Sequence, residues 1–434
     1  MAKRLPATLS AYRRIAAAAA PLAPFVLSHR LNRGKEHPAR LGERKGEAAV
    51  TRPRGPLVWV HGASVGEMLS AVQLIDRLHG EGYPVLVTSG TVTSAVLAQQ
   101  RFPAGTIHQF VPLDSPPFIA RFLDHWHPNL ALFVESDLWP NLILETAGRR
   151  IPIIVVNGRI SERSFNRWRY VPGTIAALLK QLDLCLTQSQ ADADRYAQLG
   201  APLVQMTGNL KLDVPAPPFD PRKLAELKAA LEGRVVFAAA STHPGEEAAV
   251  IEAHRRLRGT FPQLLTILVP RHPERGMGLA EIASAAGLTA TMRSRGHLPD
   301  RSIDIYVADT MGELGSIYRL APVVFMGGSL ISHGGQNPIE PIKLGAAVLH
   351  GPHVWNFSEI YSALDTSLGA YEVTDAGRLA VRIGSLLKDT GERERLVTKA
   401  KETVDSLGGA LDRTLNALEP YLMQLRIEQR QADA

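Results

Sequence analysis

A carboxylate able to take a proton stands at Glu67, closing the stretch His61-Gly62-Ala63-Ser64-Val65-Gly66-Glu67. The stretch follows the apolar run Leu57-Val58-Trp59-Val60 and opens an amphipathic one from Met68 to Leu78, so it reads as a strand, a glycine-bearing turn and a helix start. At the carboxyl end of a strand in a parallel sheet such a turn faces the ligand crevice, where a carboxylate can meet a substrate. The same residues also have a structural use. Ser64 and Glu67 stand in Ser-x-x-Glu spacing, a capping box in which Ser64 accepts from the N3 amide and Glu67 reaches back to the N-cap amide. On these residues alone both uses are open.

A second such stretch runs from Met326 to Pro341 (MGGSLISHGGQNPIEP) behind the apolar Val323-Val324-Phe325. Glycines let the backbone approach an anion closely, and a helix that begins at Asn337 with Pro338 at its first position aims free amides and a positive dipole end at one spot. That is a phosphate cradle. Glu340, one turn in, is placed to accept from a pair of ribose hydroxyls, although Asn337 and Glu340 also keep capping-box spacing. Two more turns, ASTHPGEE (240–247) and LVPRHPER (268–275), end apolar runs. In the latter Arg271 can grip a phosphate with two parallel charge-assisted bonds, while His243 and His272 suit ligand contact or loop hydrogen bonding. VESDLWPN (134–141) and NGRISERS (157–164) likewise end strands and present Glu135 and Arg159. There is no Walker lysine motif and no dinucleotide fingerprint after the first strand, which disfavours kinase and dehydrogenase chemistry. Asp192-Ala193-Asp194 reads as a helix start, and His125 and His127 flank Trp126 with no third ligand in view, so no metal is expected. Charge on a leaving group then falls to helix ends and basic side chains.

The elements that position these turns alternate along the chain. Strands are predicted at 57–60, 85–88, 107–111, 130–135, 152–156, 183–187 and 203–207, with helices at 64–79, 92–101, 116–126, 140–149, 170–181 and 190–199. Such alternation implies parallel strands with crossover helices in a doubly wound sheet. Four prolines within 214–221 make a stiff connector. The alternation then restarts, with strands near 234–240, 264–269, 289–292, 303–307, 322–326 and 346–349. The expected organisation is a basic, apolar segment 1–36, a Rossmann-like domain 37–213, the linker 214–221, a second Rossmann-like domain 222–405 and a helical tail 406–434, with a cleft between facing strand ends. The charge run Glu392 to Arg395 reads as a solvated helix face.

At 434 residues, with 45% hydrophobic content, 36 Gly and 30 Pro, the chain suits two or three α/β domains. Its single cysteine, Cys185, rules out an internal disulfide and lies in an apolar run as an inert buried thiol. A net charge of +6 favours anionic partners: phosphorylated substrate, nucleic acid or anionic membrane. Residues 1–50 hold ten Lys/Arg against three Glu, flanking the charge-free stretch Ile15 to Leu27. That stretch is too short to span a bilayer, which takes about 20 apolar residues, and it carries two prolines. It is expected to lie on anionic headgroups, with a signal peptide or an ordinary packed segment as the alternatives.

HGASVGE, ESDLWPN, NGRISERS, TGNLKLD, ASTHPGEE, VPRHPER and GGSLISHGGQNPIEP, in this order and with Gly34-Lys35-Glu36 ahead of them, resemble the Kdo transferases, which add 3-deoxy-D-manno-octulosonic acid to a lipid A precursor. The resemblance covers about Arg33 to Val348. It implies a GT-B fold of two Rossmann-like domains facing a central cleft, with an N-terminal membrane-associating segment on the cytoplasmic face of the inner membrane. It further implies CMP-Kdo as donor, a lipid A precursor such as lipid IVA as acceptor bound by the N-terminal domain, and inversion without a metal, cofactor or nucleic acid. Carried over by position, the general base falls on Glu67 and a second important acid on Glu135. The donor site falls on Arg271, Ser329, Gly334, Gly335, Asn337 and Glu340, with His272 beside them. Ser64, Arg159 and Lys211 are candidates for the Kdo carboxylate or the acceptor's phosphates. Where the family often has His this chain has Gln336, so no proton transfer is assigned there. The rival readings are another GT-B enzyme, such as a UDP-sugar epimerase or a lipid A disaccharide synthase-like transferase, and a two-domain periplasmic-type binding protein.

Overall fold

The computed structural model describes residues 5–136, 138–213 and 215–433. Lys3 and Arg4 of the basic leader, Asp137 of ESDLWPN, Val214 of the linker and Ala434 lie outside the described residues. The chain divides into two units, one comprising the residues up to Asp213 together with those from Gly408 onward, the other Val214–Leu407.

The first unit is built on β1 (Val58–His61), β2 (Val85–Ser89), β3 (Ile107–Phe110), β4 (Leu130–Val134), β5 (Ile153–Gly158), β6 (Leu184–Thr187) and β7 (Val204–Met206). All neighbours are parallel, in the order β3-β2-β1-β4-β5-β6-β7. Every residue of β1, β2, β4, β5 and β6 is buried, as a parallel sheet covered on both faces requires. Successive side chains leave on opposite faces. Trp59, Phe133 and Val155 meet Ile119, Phe122 and Trp126 on one side, while Val58, Val60, Leu132 and Val134 meet Met68, Leu74 and Leu78 on the other. Cys185 belongs to the first of these clusters, and burial pushes its thiol up to about 12.

β1 pairs with β2 from Val58–Val85 to His61–Thr88 and with β4 from Val58–Leu130 to His61–Phe133, so these three strands end level. Their following turns therefore leave from one edge.

The C-terminal helix Ala410–Asp433 belongs to this unit. Leu415, Leu418, Leu422 and Leu425 join the cluster of Val58, Leu74 and Val134. Asp213 clamps its start by accepting from Gly409 N at 2.6 Å. At the other end of the chain, helices Ala7–Ala19 and Ala23–Asn32 bury Leu9, Ala23 and Leu27. Tyr12 Oη donates to Asp114 at 2.8 Å, Ser115 Oγ donates to Ala16 O at 2.8 Å, and Arg13 pairs with Glu145. Ile15, Leu22, Phe25 and Val26 stay exposed, Phe25 at 75%. Among the described residues no helix is long and apolar enough to cross a membrane.

The second unit carries β8 (Val235–Thr242), β9 (Leu264–Pro270), β10 (Ala290–Met292), β11 (Ile305–Val307), β12 (Val323–Met326), β13 (Ala347–His350) and β14 (Ala370–Glu372). They are parallel, in the order β10-β11-β9-β8-β12-β13-β14. Phe237, Leu268 and Phe325 pack with Val250, Leu279 and Ile383 from flanking helices.

Three local expectations change. β14 was not anticipated, because three residues are too few to show a pattern. The helix predicted over 170–181 is Pro172–Leu179, preceded by a separate helix Glu162–Trp168 whose Ser161 cap accepts from Ser164 N at 3.3 Å. The 392–395 charge run is only half solvated, since Glu392 accepts from Tyr371 Oη at 3.0 Å and Arg393 donates to Leu386 O at 2.7 Å.

Candidate functional site

In an open α/β sheet, ligands bind beyond the strand ends where the winding direction reverses. In the first sheet that point is between β1 and β4, from which the Glu67 and Glu135 turns leave. In the second it is between β8 and β12, which the 243–247 and 327–337 loops follow. The turns of Glu67 and Glu135 and the two loops of the second unit thus fall at the switch points, whereas Arg159, Lys211, Arg271 and His272 follow the neighbouring strands β5, β7 and β9.

At the first switch point the capping box is formed. Ser64 Oγ accepts from Glu67 N at 3.3 Å, and Glu67 Oε2 accepts from Ser64 N at 3.2 Å and from Ala63 N at 2.6 Å. Both of these backbone amides reach the same carboxylate oxygen, Oε2. Glu67 is half-buried and Ser64 exposed. Across the split, Glu135 takes a left-handed backbone (φ 62°), a conformation uncommon outside glycine, and Asn157 after it does the same (φ 53°). Two bonds brace Glu135: its N–H donates to Val156 O at 3.0 Å and its carbonyl accepts from Tyr196 Oη at 3.1 Å.

Lys211 departs from expectation. Its ammonium lies 2.6 Å from Glu135 Oε1, so the cation expected to meet a substrate anion is paired with the second acid. Arg159 is exposed beyond β5. Asn157, the first residue of NGRISERS, ties that turn to the 210–212 segment by accepting from Leu210 N at 2.9 Å.

The glycine loop of the second unit differs more. Glu246, fully buried, turns its carboxylate onto that loop. Its Oε2 accepts from Gly328 N at 2.6 Å and His243 N at 3.0 Å, and its Oε1 accepts from Ser329 N and Leu330 N, each at 2.9 Å. The amides at 328–330 therefore hold an internal carboxylate. Ser329, which the resemblance places in the donor site, is fully buried, and its hydroxyl donates to Met326 O and accepts from Gly351 N at 2.8 Å. Gly335 likewise spends its amide on Gly328 O at 2.7 Å. Gly334 (φ 107°) cannot be replaced without moving its neighbours, because a Cβ there would lie 2.4 Å from Asn356 Nδ2. The helix expected from Asn337 starts two residues later, as Ile339–Lys343, and Asn337 Oδ1 accepts from Ile339 N at 3.0 Å. Glu340 is half-buried in its first turn. Glu246 stands within ASTHPGEE, where no local spacing marks its role. The available signal was a carboxylate one strand away from a glycine loop at the same sheet edge.

Around this loop stands a basic group. Arg271 and His272 are exposed after β9, and the His243 ring lies 6.0 Å from His272 and 3.7 Å from His333. Gln336 Nε2 is 3.1 Å from His243 Nε2. An amide nitrogen only donates, so His243 Nε2 accepts and a neutral ring carries its proton on Nδ1. Burial first, then His333, His272 and Arg271, push the His243 imidazole down to about 4. Arg271 and the exposed histidines can receive an anion. Among the described residues no group of three or more His, Cys, Asp or Glu is placed to hold a metal ion.

Two all-parallel α/β units of this kind are the fold found in GT-B-like glycosyltransferases. A solved glycosyltransferase from Rickettsia africae ESF-5 aligns over 85% of this chain and 99% of that chain with a TM-score of 0.53, and at 14% identity the likeness is one of fold. A family model described as 3-deoxy-D-manno-octulosonic-acid transferase (kdotransferase) matches residues 38–214. The 3-deoxy-D-manno-octulosonic acid transferase of Haemophilus influenzae is 36% identical over 393 residues, 88% of this chain and 91% of that protein. The transferase of the same name from Bordetella pertussis is 35% identical over 394 residues, 89% of this chain and 91% of that protein. The chain belongs to the 3-deoxy-D-manno-octulosonic acid (Kdo) transferase family, and it is a glycosyltransferase.

Proposed function

We propose that this enzyme transfers Kdo from CMP-Kdo to a lipid A precursor, lipid IVA, in lipopolysaccharide core assembly, with Glu67 as general base. Supporting the transferred sugar is the kinship with Kdo transferases over nine tenths of their length. The observation that carries the mechanism is a carboxylate at the β1/β4 switch point, oriented by two backbone amides. An acceptor hydroxyl loses its proton to Glu67 as its oxygen bonds to the anomeric carbon. The bond from that carbon to the phosphate oxygen breaks on the opposite face, giving inversion, and CMP leaves with the electron pair. Arg271 and His272 meet the phosphate charge, Glu340 meets the ribose hydroxyls, and Gly334 and Asn337 shape the loop around them. The first unit takes the acceptor. Glu135 fixes Lys211 near it, and Ser64 and Arg159 line the same edge.

The enzyme works at the cytoplasmic face of the inner membrane. The exposed Ile15, Leu22, Phe25 and Val26 enter the headgroup layer, and the exposed Arg14, Arg33 and Lys35 that flank them bind anionic lipid. Flotation with anionic vesicles tests this, and equal binding by wild type and Phe25→Asp overturns it.

Product mass analysis tests the reaction. With CMP-Kdo and lipid IVA the acceptor gains Kdo, whereas turnover of UDP-N-acetylglucosamine alone would return the enzyme to the epimerase-like or disaccharide synthase-like reading.

A further inference from the structure

Arg44 is 4% exposed, and no part of the proposed reaction uses it. Each nitrogen of its guanidinium donates: Nε to Glu36 Oε2 at 2.9 Å, Nη1 to Val111 O at 3.0 Å and Nη2 to Gly90 O at 2.6 Å. Val111 follows β3 and Gly90 follows β2, so one planar fork ties together two turns at the strand-end edge that also carries Glu67. Glu36, 5% exposed, is fixed in turn by Arg30 Nε on Oε1 at 2.6 Å.

From Gly90 the bonds continue to the carboxylate. Gly90 N donates to Ala63 O at 3.0 Å, and Ala63 N donates to Glu67 Oε2 at 2.6 Å. The approach of the two turns is close enough to demand glycine, since a Cβ at Gly90 would lie 2.8 Å from Ala63 O. A buried guanidinium is costly to desolvate, and burial is the leading cause that lowers the Arg44 pKa, with Glu36 opposing it. Two carbonyls alone could be satisfied by neutral donors. What a rigid, forked cation adds is fixed geometry at both carbonyls together.

We infer that Arg44 is a positioning residue for Glu67, acting through Gly90 and Ala63 to set where the carboxylate stands. The inference rests on Glu67 being the base. Arg44→Lys keeps the charge beside Glu36 and loses the fork, and Gly90→Ala pushes directly on Ala63. Displacing a reacting group by about 1 Å can cost on the order of 100-fold in rate.

The test is steady-state kinetics of both variants with CMP-Kdo and lipid IVA, kcat being normalised to the folded fraction from a thermal melt. Amide hydrogen exchange at Ala63 is measured beside it. The expected result is a kcat lowered by about 10- to 100-fold with the CMP-Kdo KM within about twofold of wild type, and faster Ala63 exchange. Wild-type kcat per folded molecule in either variant overturns the inference, as does a loss that appears only in KM. If Arg44→Lys fails to fold, Gly90→Ala carries the same test. Glu67→Gln run in parallel separates the two readings: turnover retained there removes the base assignment and with it the role of Arg44. An inactive Glu67→Gln beside fully active Arg44→Lys and Gly90→Ala removes the positioning role alone.

Discussion

His243 is closed in by His333, His272 and Arg271 and accepts from Gln336, and its pKa falls from 6.5 to about 4. The folded protein therefore carries a neutral ring there at neutral pH. Between pH 6.5 and 4 the unfolded chain binds a proton that the folded one does not, so this group's contribution to stability is complete above 6.5 and is lost as pH falls through about 4. His243→Gln is expected to flatten the decline in urea midpoint over that window; an unchanged slope contradicts the assignment. An anion bound beside the ring would raise its pKa. At this scale the sequence was informative about residue type and poor about partners. Arg271, His272 and Glu67 could be picked out because they stand in turns after apolar runs. The Lys211–Glu135 pair and the buried hydroxyl of Ser329 depend on which groups meet across the sheet edge, and no local spacing encodes that.

The elements around the second switch point are joined by Glu246, whose carboxylate accepts four backbone N–H bonds and so fastens the loop after β12 to the turn after β8. Removing it leaves those amides buried without acceptors, each costing about 1–3 kcal/mol before water enters the gap. Glu246→Ala is predicted to lower unfolding free energy by about 4 kcal/mol in urea titration at unchanged m value. A loss under about 1 kcal/mol means that the loop stands without it. Strands of the parallel sheets were easy to read because, buried on both faces, they appear as continuous apolar runs. Helix boundaries near Pro172 and Pro338 were harder, since each proline serves equally as a start or an interruption. The phosphate cradle is the instructive case. Glycines gave its flexibility, and a distant carboxylate decided which amides point inward.

For the whole molecule, the alternation of runs and the proline-rich 214–221 stretch made two α/β units legible, whereas the return of the last helix to the first unit was not. Leu415, Leu418, Leu422 and Leu425 are spaced as on any amphipathic helix, and nothing in that spacing names the sheet they cover. The helix packs on the sheet face that also carries the helix Val65–Gly80, whose first turn presents Glu67. The molecule thus commits a terminal segment to the element that holds the proposed base. The measurement that bears most directly on this account is Kdo transfer by Glu67→Gln, taken beside its melting temperature and its binding of CMP. Gln keeps an oxygen to accept from Ala63 N and Ser64 N but cannot take a proton near neutral pH. The account predicts a protein that melts within about 3 °C of wild type, binds CMP as wild type does and transfers Kdo at least about 100-fold more slowly. Transfer at the wild-type rate by that folded variant would return Glu67 to a capping role and contradict the mechanism.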